Sequence, residues 1–194
     1  MENNVLQNLQ TGAVGTEGNY LDYSYWDEIT LAHTTPSYTM FATANGQGGK
    51  QLYQTDMVVG ASSGQGDRLN VGAIKLFYLG HAAYSEAQMI LIYNMLFNTT
   101  LEFYVLTQDY GKWTLAELLG ASFNTIMTPA VAGNNSLESS QAKFHGIFPL
   151  NLPIPLPALN TFKVVVTPWV ATDAAIDGDR LKVVLAGLLE RAGA

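Results

Sequence analysis

Three prolines alternate with three large aliphatic residues in Leu152-Pro-Ile-Pro-Leu-Pro157, and this alternation restricts the fold more than any other feature. In an extended strand successive side chains point to opposite faces. Leu152, Ile154 and Leu156 then share a face directed at a core, and Pro153, Pro155 and Pro157 share the other. Backbone groups alternate between edges in the same way, so the three missing N–H groups fall on one edge. That edge cannot complete a ladder, which confines the segment to a sheet border or a bulge. A proline border also blocks strand addition by neighbours, a control needed by chains that crowd against copies of themselves.

The 194 residues are 48% hydrophobic and only 13% charged, about half the charged share of an ordinary soluble domain. Such a chain can bury a sizeable core as one domain. Its few charges cannot cover a monomer's surface, so part of that surface is expected to be buried against partners. The net charge of −7 and the lack of any basic run argue against a nucleic-acid-binding face. With no cysteine there is no disulfide, thiolate nucleophile or Cys-ligated metal. Met1-Glu-Asn-Asn4 has neither the basic start nor the apolar centre of a secretory signal, and none is expected.

Residues 1–35 are polar and contain regularly placed glycines, which predicts an extended arm ahead of a single domain over 36–194. Tyr20, Tyr23, Tyr25 and Trp26 stand in that arm among acidic residues, as aromatic anchors for a neighbouring surface. From Tyr38 the pattern is β. Strands are expected at Tyr38–Ala44, Gln51–Val59, Leu69–Leu79, Thr99–Thr107, the proline segment, Phe162–Thr167 and Arg180–Glu190, the last with Leu181, Val183, Leu185 and Leu188 facing the core. Ser85 followed by Gln88 forms a capping-box pattern, and the apolar run to Phe97 predicts one inserted helix over 85–97. A short helical turn is expected between Trp113 and Leu119, and a Gly/Asn/Ser-rich loop over 128–141. Seven or eight short strands without a βαβ rhythm predict an all-β fold, an antiparallel jelly-roll sandwich carrying the one helix.

Catalytic patterns are weak. Gly60-Ala-Ser-Ser-Gly64 matches a nucleophile elbow around Ser62, but the helix required after the serine is replaced by a further strand. Gly46-Gln-Gly-Gly-Lys50 lacks the first glycine and the Ser/Thr of a phosphate loop and reads as a turn. His33, His81 and His145 are isolated, and Asp173, Asp177 and Asp179 miss the spacing of a calcium loop. No enzyme activity, cofactor or metal is expected.

The order of features carries a resemblance. A polar arm precedes the Phe41 strand, the Gly46-Gln-Gly-Gly49 turn and Thr55-Asp-Met57. The Val71-Gly-Ala-Ile74 strand, the buried helix and Leu101-Glu-Phe103 follow. Phe148-Pro-Leu150, Pro153-Ile-Pro155, Phe162-Lys-Val164 and Arg180-Leu-Lys-Val-Val-Leu-Ala-Gly187 close the chain. Over residues 38–190 this resembles the single jelly-roll capsid proteins of small tailless icosahedral bacteriophages, including those that enclose an internal membrane. The resemblance implies a virion shell subunit made in the host cytoplasm, without catalytic residues, whose partners are copies of itself, a second capsid protein and an internal membrane. It places the subunit contacts on loops and arms; Tyr20, Tyr23, Tyr25, Trp26, Pro153, Pro155 and Pro157 are the expected interface residues. The acidic charge fits a shell separated from the genome by a membrane or another protein.

The alternative is a carbohydrate-binding sandwich, lectin-like, using Tyr23, Tyr25 and Trp26 or Trp113 as stacking platforms. In either case the purified chain should show negligible affinity for DNA or RNA, because 9 basic residues against 16 acidic ones leave counterion release little to act on. A filter-binding assay across a salt series checks this; tight binding that weakens steeply with salt contradicts it.

Overall fold

Eight strands pair in a nested order, the first with the last and inward. In the computed structural model, described over residues 19–58, 60, 67–119, 140–169 and 174–191, they are β1 (Asn19–Thr30), β2 (Tyr38–Met40), β3 (Asp67–Tyr84), β4 (Thr99–Val105), β5 (Gln108–Thr114), β6 (Ser140–Leu156), β7 (Phe162–Pro168) and β8 (Arg180–Arg191). β1 pairs with β8, β2 with β7, β3 with β6 and β4 with β5, all antiparallel. Further ladders β3–β8 and β4–β7 gather them into two four-stranded sheets, β1-β8-β3-β6 and β2-β7-β4-β5. The chain is a jelly-roll sandwich: a long hairpin of nested ladders rolled so that alternate stretches fall in opposite sheets.

The core lies between the sheets. Leu69, Val71, Ile74, Leu76 and Tyr78 of β3 and Leu181, Val183, Leu185 and Leu189 of β8 are buried and face Leu101, Phe103, Phe162, Val164 and Val166. The β3 residues switch from odd to even positions because Gly72 is an inserted residue: Val71 pairs with Gly187 and Ala73 with Ala186. A side chain at Gly187 would place its Cβ 1.9 Å from the Asn70 carbonyl oxygen, so the strands can approach beside the bulge only with glycine there. In β8 the odd phase runs on through Gly187 to Leu189. Leu188, expected in the core, therefore faces outward and is only half-buried.

Helix α1 (Glu86–Phe97) joins β3 to β4. The Ser85 hydroxyl accepts the Gln88 N–H at 3.3 Å, and the Gln88 side chain accepts the Ser85 N–H at 2.9 Å, completing the capping box expected from the sequence. Helix α2 (Leu115–Leu119) repeats the device with Thr114 and Glu117 and lies on β6, where Gly146 allows its Leu118 carbonyl to come close. One end of the sandwich, the helix end, gathers α1, the start of β4 and the end of β7. The opposite end gathers the β4–β5 and β6–β7 turns.

Several expectations change. Residues 19–30, assigned to an arm, are an integral strand: each pairs with a residue of β8, and Tyr25 reaches the core. Residues 1–18 lie outside the described residues. The strand expected to run to Ala44 ends at Met40, because Phe41 adopts a φ of 65°. Residues 51–58 form turns with one bridge, Asp27–Thr55, instead of a strand. β5, with no apolar alternation, was not expected. The 128–141 loop lies outside the described residues except for Ser140 and Gln141, which belong to β6.

The proline segment is the end of β6, and β6 borders its sheet. Ile154 and Leu156 pair with Val71 and Leu69 and are buried. Leu152 is 81% exposed, not in the core. The ladder jumps from Ile154–Val71 to Pro149–Ala73, so β6 loops out between the two pairs and the alternation breaks there. Ile154→Asp should cost more than ~4 kcal/mol by burying an unpaired charge, while Leu152→Asp should stay within about 0.5 kcal/mol of the parent. Thermal melts of the two variants check this ordering, and equal effects would contradict the register.

Candidate functional site

Two carboxylates, each fully buried, organise the polar interior. Asp27 of β1 accepts the Phe41 N–H at 2.6 Å and pairs with the Lys50 ammonium, which also donates to the Glu28 carbonyl at 2.9 Å. This uses the one lysine of the Gly46-Gln-Gly-Gly-Lys50 turn internally, where Gly46, Gly48 and Gly49 all take positive φ. The neighbouring segment runs along the outer edge of β1: the Glu28 N–H donates to the Gln54 carbonyl at 2.7 Å, and the Trp26 N–H to Asp56 Oδ1 at 2.7 Å. Burial pushes the Asp56 carboxyl up to about 6, against the opposing pull of that Trp26 N–H; the nearby Asp27 adds to the rise.

Asp179, immediately before β8, accepts from Tyr78 and Tyr84 hydroxyls, from the His81 backbone N–H at 2.9 Å and from His81 Nδ1 at 2.7 Å. Burial, then the bond to Asp179, raises the Tyr78 hydroxyl's pKa far above its ordinary value. Two residues earlier, Asp177 binds the His33 N–H at 2.6 Å and His33 Nδ1 at 2.7 Å, and both interactions hold its carboxyl below the ordinary range. Together these bonds fasten the end of β1, the end of β3 and the start of β8. The acidic turn is thus occupied by histidines of its own chain. Among the described residues no group of three or more His, Cys, Asp or Glu is placed to hold a metal ion. Asp173 and Ser62 lie outside the described residues, and His145 stacks near Phe77 at 6.3 Å.

The aromatic residues proposed as anchors divide. Tyr20 sits opposite Glu190 in the β1–β8 ladder. Tyr23 is 37% exposed and meets Tyr25 edge-on at 5.2 Å. Tyr25 is buried against Phe162 at 5.7 Å, a core residue and not a surface anchor, because the middle of β1 turns Tyr25 and Asp27 inward. Trp26 lies under the Lys182 ammonium at 3.9 Å. Trp113 packs on Phe148 at 6.0 Å. Pro153 is exposed, and Pro155 and Pro157 are half-buried along the border of β6.

On the outer face of the second sheet, Glu102 joins Lys112 at 2.6 Å and the Tyr104 hydroxyl at 2.5 Å. These partners lower the Glu102 pKa, and the same bond pushes the Tyr104 hydroxyl up to about 12. Trp169, unmarked by any sequence pattern, covers this face: its Nε1 donates to Thr100 Oγ1 at 2.8 Å and Lys112 stands 4.7 Å from its ring. On the first sheet, small residues at the bulge leave an open groove of about 650 Å³, with Asp22, Ser24, Lys75 and Leu188 around Gly72 and Ala186.

Large apolar side chains are the distinctive surface. Leu52, Tyr53, Val58, Ile90, Leu91, Phe97, Leu106, Ile147, Leu152, Leu159 and Trp169 are all exposed by more than two fifths. Among the described residues no helix is long and apolar enough to cross a membrane. The chain matches no protein-family model and no curated protein.

Asp56 gives a pH test. Its carboxyl binds a proton more readily in the folded chain than in the unfolded one. Its contribution to stability is therefore highest below about pH 4 and falls as pH rises to about 6. Asp56→Asn keeps an acceptor for Trp26 and should raise the melting temperature at pH 7.5, with the gain shrinking toward zero at pH 4. A gain that does not change with pH contradicts the assignment.

Proposed function

We propose that this chain is a structural shell protein, a jelly-roll subunit that assembles with copies of itself into a virus capsid. The observation that carries this reading is the eight-stranded jelly roll, with sheets β1-β8-β3-β6 and β2-β7-β4-β5, clothed in exposed large apolar side chains. Jelly rolls serve shells and lectins alike, so the fold leaves the choice to the surface. Exposed apolar surface on this scale supports association, and the low charged fraction points the same way. Three of the four rings named for sugar stacking are engaged within the chain, Trp26 by Lys182, Trp113 by Phe148 and Tyr25 by Phe162, while Tyr23 stays 37% exposed.

The finer reading follows from the sequence resemblance. The shell is that of a small tailless icosahedral bacteriophage, and the net charge of −7 suits a subunit facing a membrane or a second protein more than naked genome. The proline border of β6 fits a subunit held at high local concentration, where an open sheet edge would pair indiscriminately.

Light scattering coupled to size exclusion, run across a concentration series at physiological salt, tests this. Dimers or larger bodies should form, with mass rising with concentration. A chain that stays monomeric at the highest concentration and binds glycans on an array would overturn the shell reading in favour of the lectin.

A further inference from the structure

Two turns at one end of the sandwich present leucine where the backbone favours glycine. Leu106 opens the two-residue loop between Val105 and Gln108 with a φ of 56°, and Leu159, in the β6–β7 turn, has a φ of 62°. Side chains other than glycine are disfavoured there. The turns adjoin, since the Leu106 N–H donates to the Thr161 carbonyl at 2.8 Å. Neither leucine repays its strained backbone inside the fold: Leu106 is 56% exposed and Leu159 64%. Strain kept at a surface where the side chain contacts little of its own chain points to a contact outside it.

A second apolar surface lies at the opposite end. Met89, Ile92, Met95 and Leu96 of α1 are buried, while Ile90 and Leu91 face outward at 51% and 42% exposure. Phe97, one turn or more along, is 58% exposed. The seven residues of β4 separate the end of α1 from Leu106 by about 23 Å, so these surfaces cannot meet within one copy. Charge is sparse on both: neither Leu106-Thr107 nor Pro157-Ala-Leu-Asn-Thr161 contains a charged residue, and α1 has a single one, Glu86 at its first position. Copies that each carry a net charge of −7 repel, so a contact between them costs least where charge is sparse on both surfaces.

We propose that the Leu106–Leu159 tip of one copy seats on the outward face of α1 of the next, a head-to-tail contact between two different surfaces. This rests on the shell reading above and specifies its geometry. Such a heterologous contact, repeated, closes into a ring when its rotation permits, whereas a contact of one surface with itself stops at a dimer.

The chain has no cysteine, so engineered ones report cleanly. Leu106→Cys and Leu91→Cys chains, treated with a short bismaleimide separately and mixed, should give at least about tenfold more cross-linked dimer in the mixture. Equal cross-linking by Leu106→Cys alone, or none in the mixture, overturns the head-to-tail contact. The double variant Leu106→Gly, Leu159→Gly should melt at or above the parent's temperature, because glycine suits both turns, yet associate about tenfold more weakly. A double variant that associates like an assembling parent overturns this inference and leaves the shell reading standing. A parent that never associates overturns both. Retained association with loss of binding to phosphatidylglycerol–phosphatidylethanolamine vesicles would assign the leucines to lipid and also overturn it.

Discussion

The two sheets are joined at their open side by the carboxylate of Asp27. It sits in β1, in the first sheet, and takes the backbone N–H of Phe41, which directly follows β2 of the second. Phe41 is held in a left-handed conformation that costs about 1–2 kcal/mol, and burying its ring returns about 1.5–3 kcal/mol. The ring packs on Phe162 at 5.5 Å, so the turn out of β2 is fixed by a charge on one side and a core contact on the other. Lys50 answers the buried charge. Removing one partner from such a pair costs about 3–5 kcal/mol, because the other remains desolvated. The segment that brings Lys50 in then continues along β1 and covers part of its outer edge.

Edge control recurs around the molecule. β1 is partly covered by residues 54–56, and β6 carries prolines on its border. The fold thereby limits indiscriminate strand pairing while leaving large apolar side chains exposed at both ends. That combination suits a subunit whose contacts are made by side chains at defined places and not by open ladders. Ion pairs tie the same frame together: His81–Asp179 and His33–Asp177 fasten three strands, and Lys50 closes the sheets.

Much of this was legible in the sequence. The capping box at Ser85, the alternation in β4 and β7 and the proline border each act locally, and each stands where the pattern put it. β1 was not legible because its inward positions include Asp27; a buried acid interrupts the apolar alternation that marks a strand, and only its distant partner, Lys50, explains it. The bulges at Gly72 and between Pro149 and Ile154 shift the phase of strands by whole residues, which moved Leu152 out of the core that strict alternation assigns. Asp179, with Tyr78 and Tyr84, shows the same limit: its ligands lie about a hundred residues away. Among interface residues, Tyr25 and Trp26 had the right chemistry for anchors but the wrong side of the strand or a partner already in place. The leucines of the turns were invisible, since their meaning lies in backbone angles.

The central claim is that this jelly roll builds a closed shell. Electron microscopy of the purified chain, concentrated alone and together with phospholipid vesicles, tests it most directly. The account predicts closed particles of uniform diameter, with curvature set by repeated subunits. A field of dispersed single domains, or only irregular aggregates, under every one of these conditions would contradict it.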